Sequence, residues 1–171
     1  MATTAISVPE YLASIWHPDR DYVDGEVQER NLGEQEHALL QNYLAAWFFN
    51  HRHDWRIVSL TEMRVQVSPT RIRIPDICLR EPSDPMDRVL QRPPLLCVEI
   101  MSPEDRLSKV RERLQDFVAM GVHDIWVIDP GARRAYVCVA GEFSEFDEDT
   151  LRIAGTEIHV RLADLWAELE R

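Results

Sequence analysis

Two acidic residues stand where a folded chain would ordinarily place apolar ones. Glu99 lies inside the run Leu95-Leu96-Cys97-Val98-Glu99-Ile100-Met101. A carboxylate buried in such a strand costs several kcal/mol unless it is paired, protonated or bound to a metal. Asp76 follows Pro75, in phase with Ile72 and Ile74, on a strand whose ladder the proline interrupts. Two strand carboxylates of this kind could converge on one hard cation. Their oxygens suit Mg²⁺ or Mn²⁺, ions that keep waters and bind phosphate oxygens. Both residues would be explained equally well if each paired with a buried arginine and did nothing else.

The elements that must position them follow from periodicity. Ser7-Val8-Pro9-Glu10 is a capping-box pattern that opens a short helix running to about Trp16, ended by His17-Pro18-Asp19. Tyr22 to Glu29 reads as two short strands joined at Asp24-Gly25, a hairpin-type turn. Leu39, Leu40, Tyr43, Leu44, Trp47 and Phe48 form a wide helical stripe over about Glu34 to Asn50. From Trp55 the period becomes two: Met63, Val65 and Val67 mark one strand, and Ile72 to Leu79 a second, broken at Pro75-Asp76. A proline-rich loop, 81–94, leads to the apolar run at 95–101, a central strand buried on both faces. The next helix is expected to be capped by Ser102, with Pro103 in its first turn, a core face of Leu107, Val110, Leu114, Phe117 and Val118, and Gly121 as its stop. Ile125 to Ile128 is another buried strand with a hairpin mate at Ala135 to Val139. Short strands near 143–146 and 151–153 precede a helix over Leu162 to Leu169. This order makes an α/β domain with a mixed sheet. No repeat or linker divides the chain, so one domain over 1–171 is expected.

Pro75-Asp76, then Cys97-Val98-Glu99-Ile100-Met101-Ser102-Pro103, then Gly121-Val122-His123-Asp124-Ile125-Trp126-Val127-Ile128-Asp129-Pro130 together resemble the Uma-type putative restriction endonuclease family, within the PD-(D/E)xK nuclease superfamily. Tyr22-Val23-Asp24-Gly25-Glu26-Val27 and His37 fit its N-terminal pattern. The resemblance implies a restriction-endonuclease-like core, a mixed β-sheet flanked by helices, with Asp76 and Glu99 holding a divalent metal. That metal would polarise the scissile phosphate and activate a water. By the same analogy the main-chain carbonyl of Ile100 is a further ligand, Glu26 a third carboxylate, and His37 a contact behind the ligands or to phosphate.

The superfamily motif would put lysine at 101, where Met101 stands. In this family a lysine on the following helix takes over, and the matching position, four residues before Phe117, is Arg113. Arginine neutralises phosphate charge but cannot act as a base. Lys109, one turn earlier, could substitute. At about 100° per residue, Arg113 sits nearer the apolar stripe than Lys109 does, so Arg113 is expected to reach inward and Lys109 to face solvent. Arg106 is a third candidate.

Other residues weigh less. Arg71 and Arg73 alternate with isoleucines before Asp76; they could face a phosphate backbone, but cross-strand ion pairs with Glu62 or Glu81 are preferred. His51 and His53 read as surface residues. Cys78, Cys97 and Cys138 are three, dispersed and without a C-x-x-C pair, which argues for buried thiols in a reducing cytoplasm rather than disulfides or structural zinc. The chain has 171 residues, 45% apolar and 29% charged, with no apolar run long enough for a membrane helix. Residues 1–7 lack the pattern of a secretory leader. Nineteen basic residues against 30 acidic give a net charge of −11. Such a surface opposes non-specific nucleic-acid binding unless local cations offset it.

The expected activity is Mg²⁺- or Mn²⁺-dependent hydrolysis of DNA, with metal at Asp76 and Glu99 and charge stabilisation by Arg113, assisted by Lys109. The alternative is an inactive nuclease-fold protein acting as a binding or assembly module, suggested by Arg113, Met101 and the net charge. A homodimer is expected by analogy with nucleases that cut both strands, and from the width of the aromatic helix.

Overall fold

The structure, a computed structural model, describes residues 5–30 and 34–170. The first four residues of the segment read for a leader lie outside the described residues. The elements run α1 (Val8–Ala13), β1 (Asp21–Val23), β2 (Glu26–Gln28), α2 (Gln35–His51), β3 (Val58–Thr61), β4 (Val65–Ser68), β5 (Arg71–Arg73), β6 (Ile77–Arg80), β7 (Leu96–Ile100), α3 (Leu107–Met120), β8 (Asp124–Asp129), β9 (Arg134–Val139), β10 (Glu142–Phe146), β11 (Thr150–Arg152), β12 (His159–Arg161) and α4 (Leu162–Glu168).

The main sheet has six strands in the order β10-β9-β8-β7-β6-β3. Only β7 and β8 are parallel in it, because α3 carries the chain back over the sheet between them. A second sheet, β2-β1-β5-β4, has four strands, and β11 pairs with β12. The fold is thus a mixed sheet flanked by helices, as expected.

Strand alternation divides the interior into two layers. Leu96, Val98 and Ile100 of β7 join Ile77 and Leu79 of β6 under Leu40, Leu44 and Phe48 of α2 and Leu165 of α4. Cys97 and Cys78 point to the opposite face, against Val110, Leu114 and Phe117 of α3 and Val65 and Val67 of β4. Each large side chain buried this way contributes roughly 2 kcal/mol. The aromatic stripe of α2 is used within the chain: Phe48 is fully buried, and Trp47 packs beside Trp55 and His159. Its width therefore needs no second copy to explain it. His51, read as a surface residue, lies between the rings of Trp47 and Trp55.

Three local expectations need correction. The helix after β7 starts at Leu107 with Arg106 at its N-cap, not at Ser102. Ser102 to Asp105 instead close a turn of their own, in which Asp105 Oδ2 accepts from the Ser102 amide (2.8 Å) and the Asp105 amide donates to Ser102 O (2.9 Å). The strand read around Met63 is β3 followed separately by β4, since Glu62 takes a positive φ of 49° that ends regular pairing. A short strand, β12, was also missed before α4.

Candidate active site

Alternation puts Asp76, just before β6, on the same sheet face as Cys78, and Glu99 on the same face as Cys97, toward α3. The β6–β7 register, continued by one residue, brings the two acids together by setting Asp76 opposite Glu99. The register that pairs Ile77 with Val98 sets Pro75 opposite Ile100, and proline has no N–H to complete that rung. The other half of the rung is taken by the Asp76 carboxylate, whose Oδ2 accepts from the Ile100 amide at 2.6 Å. Asp76 is thereby fixed at the residue next to Glu99, while the Ile100 carbonyl loses the donor a non-proline residue would have given it.

Both carboxylates are buried, at 3% and 2% side-chain exposure, and each meets its own guanidinium. Arg30 Nη2 donates to Asp76 Oδ1 at 2.5 Å, and Arg113 Nη2 donates to Glu99 Oε2 at 2.5 Å. His37, in the first turn of α2, places Nε2 3.3 Å from Asp76 Oδ2. Burial works to raise the Asp76 carboxyl, but His37, Arg30 and the Ile100 amide outweigh it and hold it below the usual range. Burial pushes Glu99 up to about 7, against the pull of Arg113 and helped by the Asp76 charge.

On the α3 side a cleft of about 210 Å³ is lined by Asp21, Arg30, Arg73, Lys109 and Arg113, among others, with the guanidiniums of Arg30 and Arg113 standing over the carboxylates. His37 and Met101 line a separate cleft of about 90 Å³ with Ser102 and Asp129. Position 101, where the superfamily lysine would stand, therefore opens on the His37 side.

The remaining expected site residues are placed as follows. Lys109 is 76% exposed and pairs with Glu112 at 2.8 Å, at the cleft rim. Glu26 does not join Asp76 and Glu99. It is exposed at the turn end of the β1–β2 hairpin, opposite Val23, whereas Gln28 at the other end of β2 lies on the cleft. Arg73 is not presented to a phosphate: it is buried, donating from Nε to Asp116 (2.7 Å) and from Nη1 to Asp21 (2.9 Å). Arg71 pairs with Asp24 and Asp116. Both arginines form ion pairs, but not with Glu62 or Glu81, because their partners come from β1, the hairpin turn and α3 rather than from neighbouring strand ends.

Sequence reasoning missed Arg30 and Asp21. Arg30 follows β2 with no apolar pattern around it to mark it as inward-facing. Asp21 opens β1, and its one signal was an acidic residue directly before the alternating Tyr22-Val23. It accepts from the Ile74 amide at 3.1 Å and so ties the small sheet to the approach to Asp76.

The residues present fit one Mg²⁺-like cation in donor type and in charge. Asp76, Glu99 and the Ile100 carbonyl are hard oxygens, and such ions need only one or two carboxylates beside water and substrate phosphate. The charged residues lining the cleft balance, four cationic against four anionic, so Asp76 and Glu99 leave an excess of two negative charges. Among the described residues no group of three or more His, Cys, Asp or Glu side chains is arranged to hold a metal, so a site built wholly from protein side chains is not supported.

A sequence profile of the Uma2 family, described as "Putative restriction endonuclease", matches residues 8–163. A crystal structure of a putative nuclease belonging to DUF820 from Anabaena variabilis superposes with a TM-score of 0.82 at 21% identity, covering 96% of this chain and 99% of that one. A cryo-EM structure of a DrdV–DNA complex matches with a TM-score of 0.42 at 18% identity, over 78% of this chain and 10% of that one. No curated protein matches in sequence. The chain belongs to the Uma2 family and shares its fold with the cyanobacterial protein; family and fold together support an endonuclease-type hydrolase.

Proposed function

We propose that this Uma2-family chain is a Mg²⁺- or Mn²⁺-dependent DNA endonuclease whose cation is held by Asp76, Glu99 and the carbonyl of Ile100. The observation that carries this reading is the meeting of two buried carboxylates at the Pro75 break, beneath a cleft on which Arg30, Lys109 and Arg113 open. When bound, the metal would polarise the scissile phosphate and lower the pKa of the attacking water. His37 holds Asp76 from behind and keeps it ionised. Arg113 neutralises charge on the phosphate but, being always protonated, takes no proton from water. Lys109 stands at the rim, where it meets the neighbouring phosphate of the strand.

The reading is tested by nicking of supercoiled plasmid in Mg²⁺ or Mn²⁺. Wild type should nick, and Asp76→Ala and Glu99→Ala should each lose activity by about 100-fold or more. Equal cleavage by wild type and Asp76→Ala would identify the activity as a contaminant and remove the proposal.

One observation favours the second reading, a nuclease fold that binds without turnover: each carboxylate already has a guanidinium, and arginine occupies the helical lysine position. That protein would bind the ion and DNA without cutting, and Arg113→Lys would restore cleavage if only the base were lost.

A further inference from the structure

The arginines of this chain engage carboxylates in two distinct ways. Arg64 uses Nε and Nη2 together on Asp19, Arg71 uses Nε and Nη2 on Asp24, and Arg73 spends Nε on Asp116 and Nη1 on Asp21. All three put Nε to use: Arg64 forks onto both oxygens of Asp19, the form in which arginine–carboxylate pairs are strongest, Arg71 sends both donors to Asp24 Oδ2, and Arg73 bridges two carboxylates. Arg30 and Arg113 differ: each reaches its carboxylate end-on through Nη2, and in each the buried Nε has no partner among the described residues. Arg20 also has an unpartnered Nε, but its guanidinium lies over the Trp16 ring and pairs with exposed Glu29. An unsatisfied buried donor carries a cost, so the two guanidiniums over the site hold their carboxylates in an arrangement that a better partner could replace. They are also the two that stand between the carboxylates and the cleft.

We propose that Arg30 and Arg113 are exchangeable counter-ions: in the metal-free protein they take the place of the divalent cation at Asp76 and Glu99, and when the cation binds they turn into the cleft and grip a DNA phosphodiester. The inference rests on the metal reading above and deepens it. Two guanidinium charges stand where one divalent charge would, so the exchange leaves the carboxylates neutralised throughout. The released guanidiniums gain a phosphate that can accept a fork from each. Metal and phosphodiester must then bind with positive coupling, since each removes a competitor of the other, and the coupling is reciprocal. DNA binding, and not only cleavage, becomes dependent on the ion, although this chain carries a net charge of −11.

Mn²⁺ affinity can be read from the electron paramagnetic resonance signal of the free ion, with no turnover required. Asp76→Asn should abolish binding to the wild-type site. Arg30→Gln and Arg113→Gln should bind Mn²⁺ about tenfold more tightly than wild type. In wild type, Mn²⁺ should tighten binding of a phosphorothioate-protected duplex by a similar factor, and in Arg113→Gln that enhancement should shrink. If either variant folds poorly, the wild-type protein gives the same answer: on adding Mg²⁺, the NMR signals of the Arg30 and Arg113 Nε–H groups should move while that of Arg73 stays. Wild-type binding with unchanged or weaker affinity in both variants, or with immobile Arg30 and Arg113 signals, overturns the exchange and leaves the metal reading intact. Absence of Mn²⁺ binding in wild type and in both variants removes the metal reading and the exchange together.

Discussion

The Asp76 and Glu99 side chains are chemically similar, yet their surroundings push them in opposite directions. Asp76 accepts from an amide, a guanidinium and an imidazole, so its charge is favoured despite burial. Glu99 has one guanidinium and a like charge beside it, and burial pushes it up to about 7 from the ordinary 4.5. The folded state therefore holds a proton on Glu99 to higher pH than the unfolded state does. A raised carboxyl gives stability that is fully present below about pH 4.5 and is lost as pH rises through about 7, a span corresponding to about 3 kcal/mol. Denaturant melts of wild type between pH 4.5 and 7.5 should show this decline, and Glu99→Gln should remove most of it. A wild-type profile as flat as that of the variant would place the Glu99 charge in balance with Arg113 instead. Asp76 acts in the other direction and at lower pH: its contribution is present above the ordinary carboxylate range and lost as pH falls through its depressed value.

Helix α3 carries the site from two flanks. Arg113 reaches Glu99 from one, and Asp116 holds Arg71 and Arg73 from the other, joining the main sheet to the small one. Its core face, Val110, Leu114 and Phe117, fixes the rotation on which both contacts depend. The helix is stopped by Gly121 in a left-handed conformation (φ +105°), whose amide donates to the carbonyls of Phe117 and Val118. A Cβ there would also lie 3.4 Å from Pro93 Cγ. Gly121→Ala should therefore cost about 1–2 kcal/mol, measurable by urea denaturation. A loss below a few tenths of a kcal/mol would mean that the cap does not depend on this conformation. The lesson at the other end of α3 is that Ser102-Pro103-Glu104-Asp105, a strong helix-start pattern, was used for a separate turn. Local capping signals do not say which of two adjacent turns the chain will close.

Over the whole molecule, the charge of −11 opposes DNA while the cleft gathers Arg30, Lys109 and Arg113 in one place. Few phosphates can be engaged through so small a basic surface. In Mg²⁺ or Ca²⁺, the logarithm of DNA affinity should fall with the logarithm of monovalent salt with a slope of about −3, given roughly 0.9 per neutralised phosphate. Fluorescence anisotropy over a salt series reads this directly. A slope near −8 would require a far larger basic face than this cleft and would move the DNA elsewhere on the protein. Among the described residues no helix is long and apolar enough to cross a membrane.

The amino-acid sequence by itself determined the alternation of elements, the burial of the central strand on both faces and the anomaly of Glu99 and Pro75-Asp76. Each of these is a periodic or local signal: apolar residues recur at the spacing of the element that buries them, and a carboxylate or proline out of phase stands out against that pattern. The inward reach of Arg113 was legible from its angle to the stripe of α3. Arg30 and Asp21 were not, since each lies in or beside a three-residue strand of the small sheet, where too few residues repeat to mark a face. Nor could the sequence tell that Arg73 would be taken by Asp21 and Asp116 rather than Glu62 or Glu81. Which acid meets which base is settled by how β1, β5 and α3 pack, and electrostatic partners distant in the chain leave no periodicity to read. Tertiary structure alone decided that both site carboxylates would lie beneath guanidiniums, because that contact requires a strand end, a hairpin end and a helix flank to converge at one point.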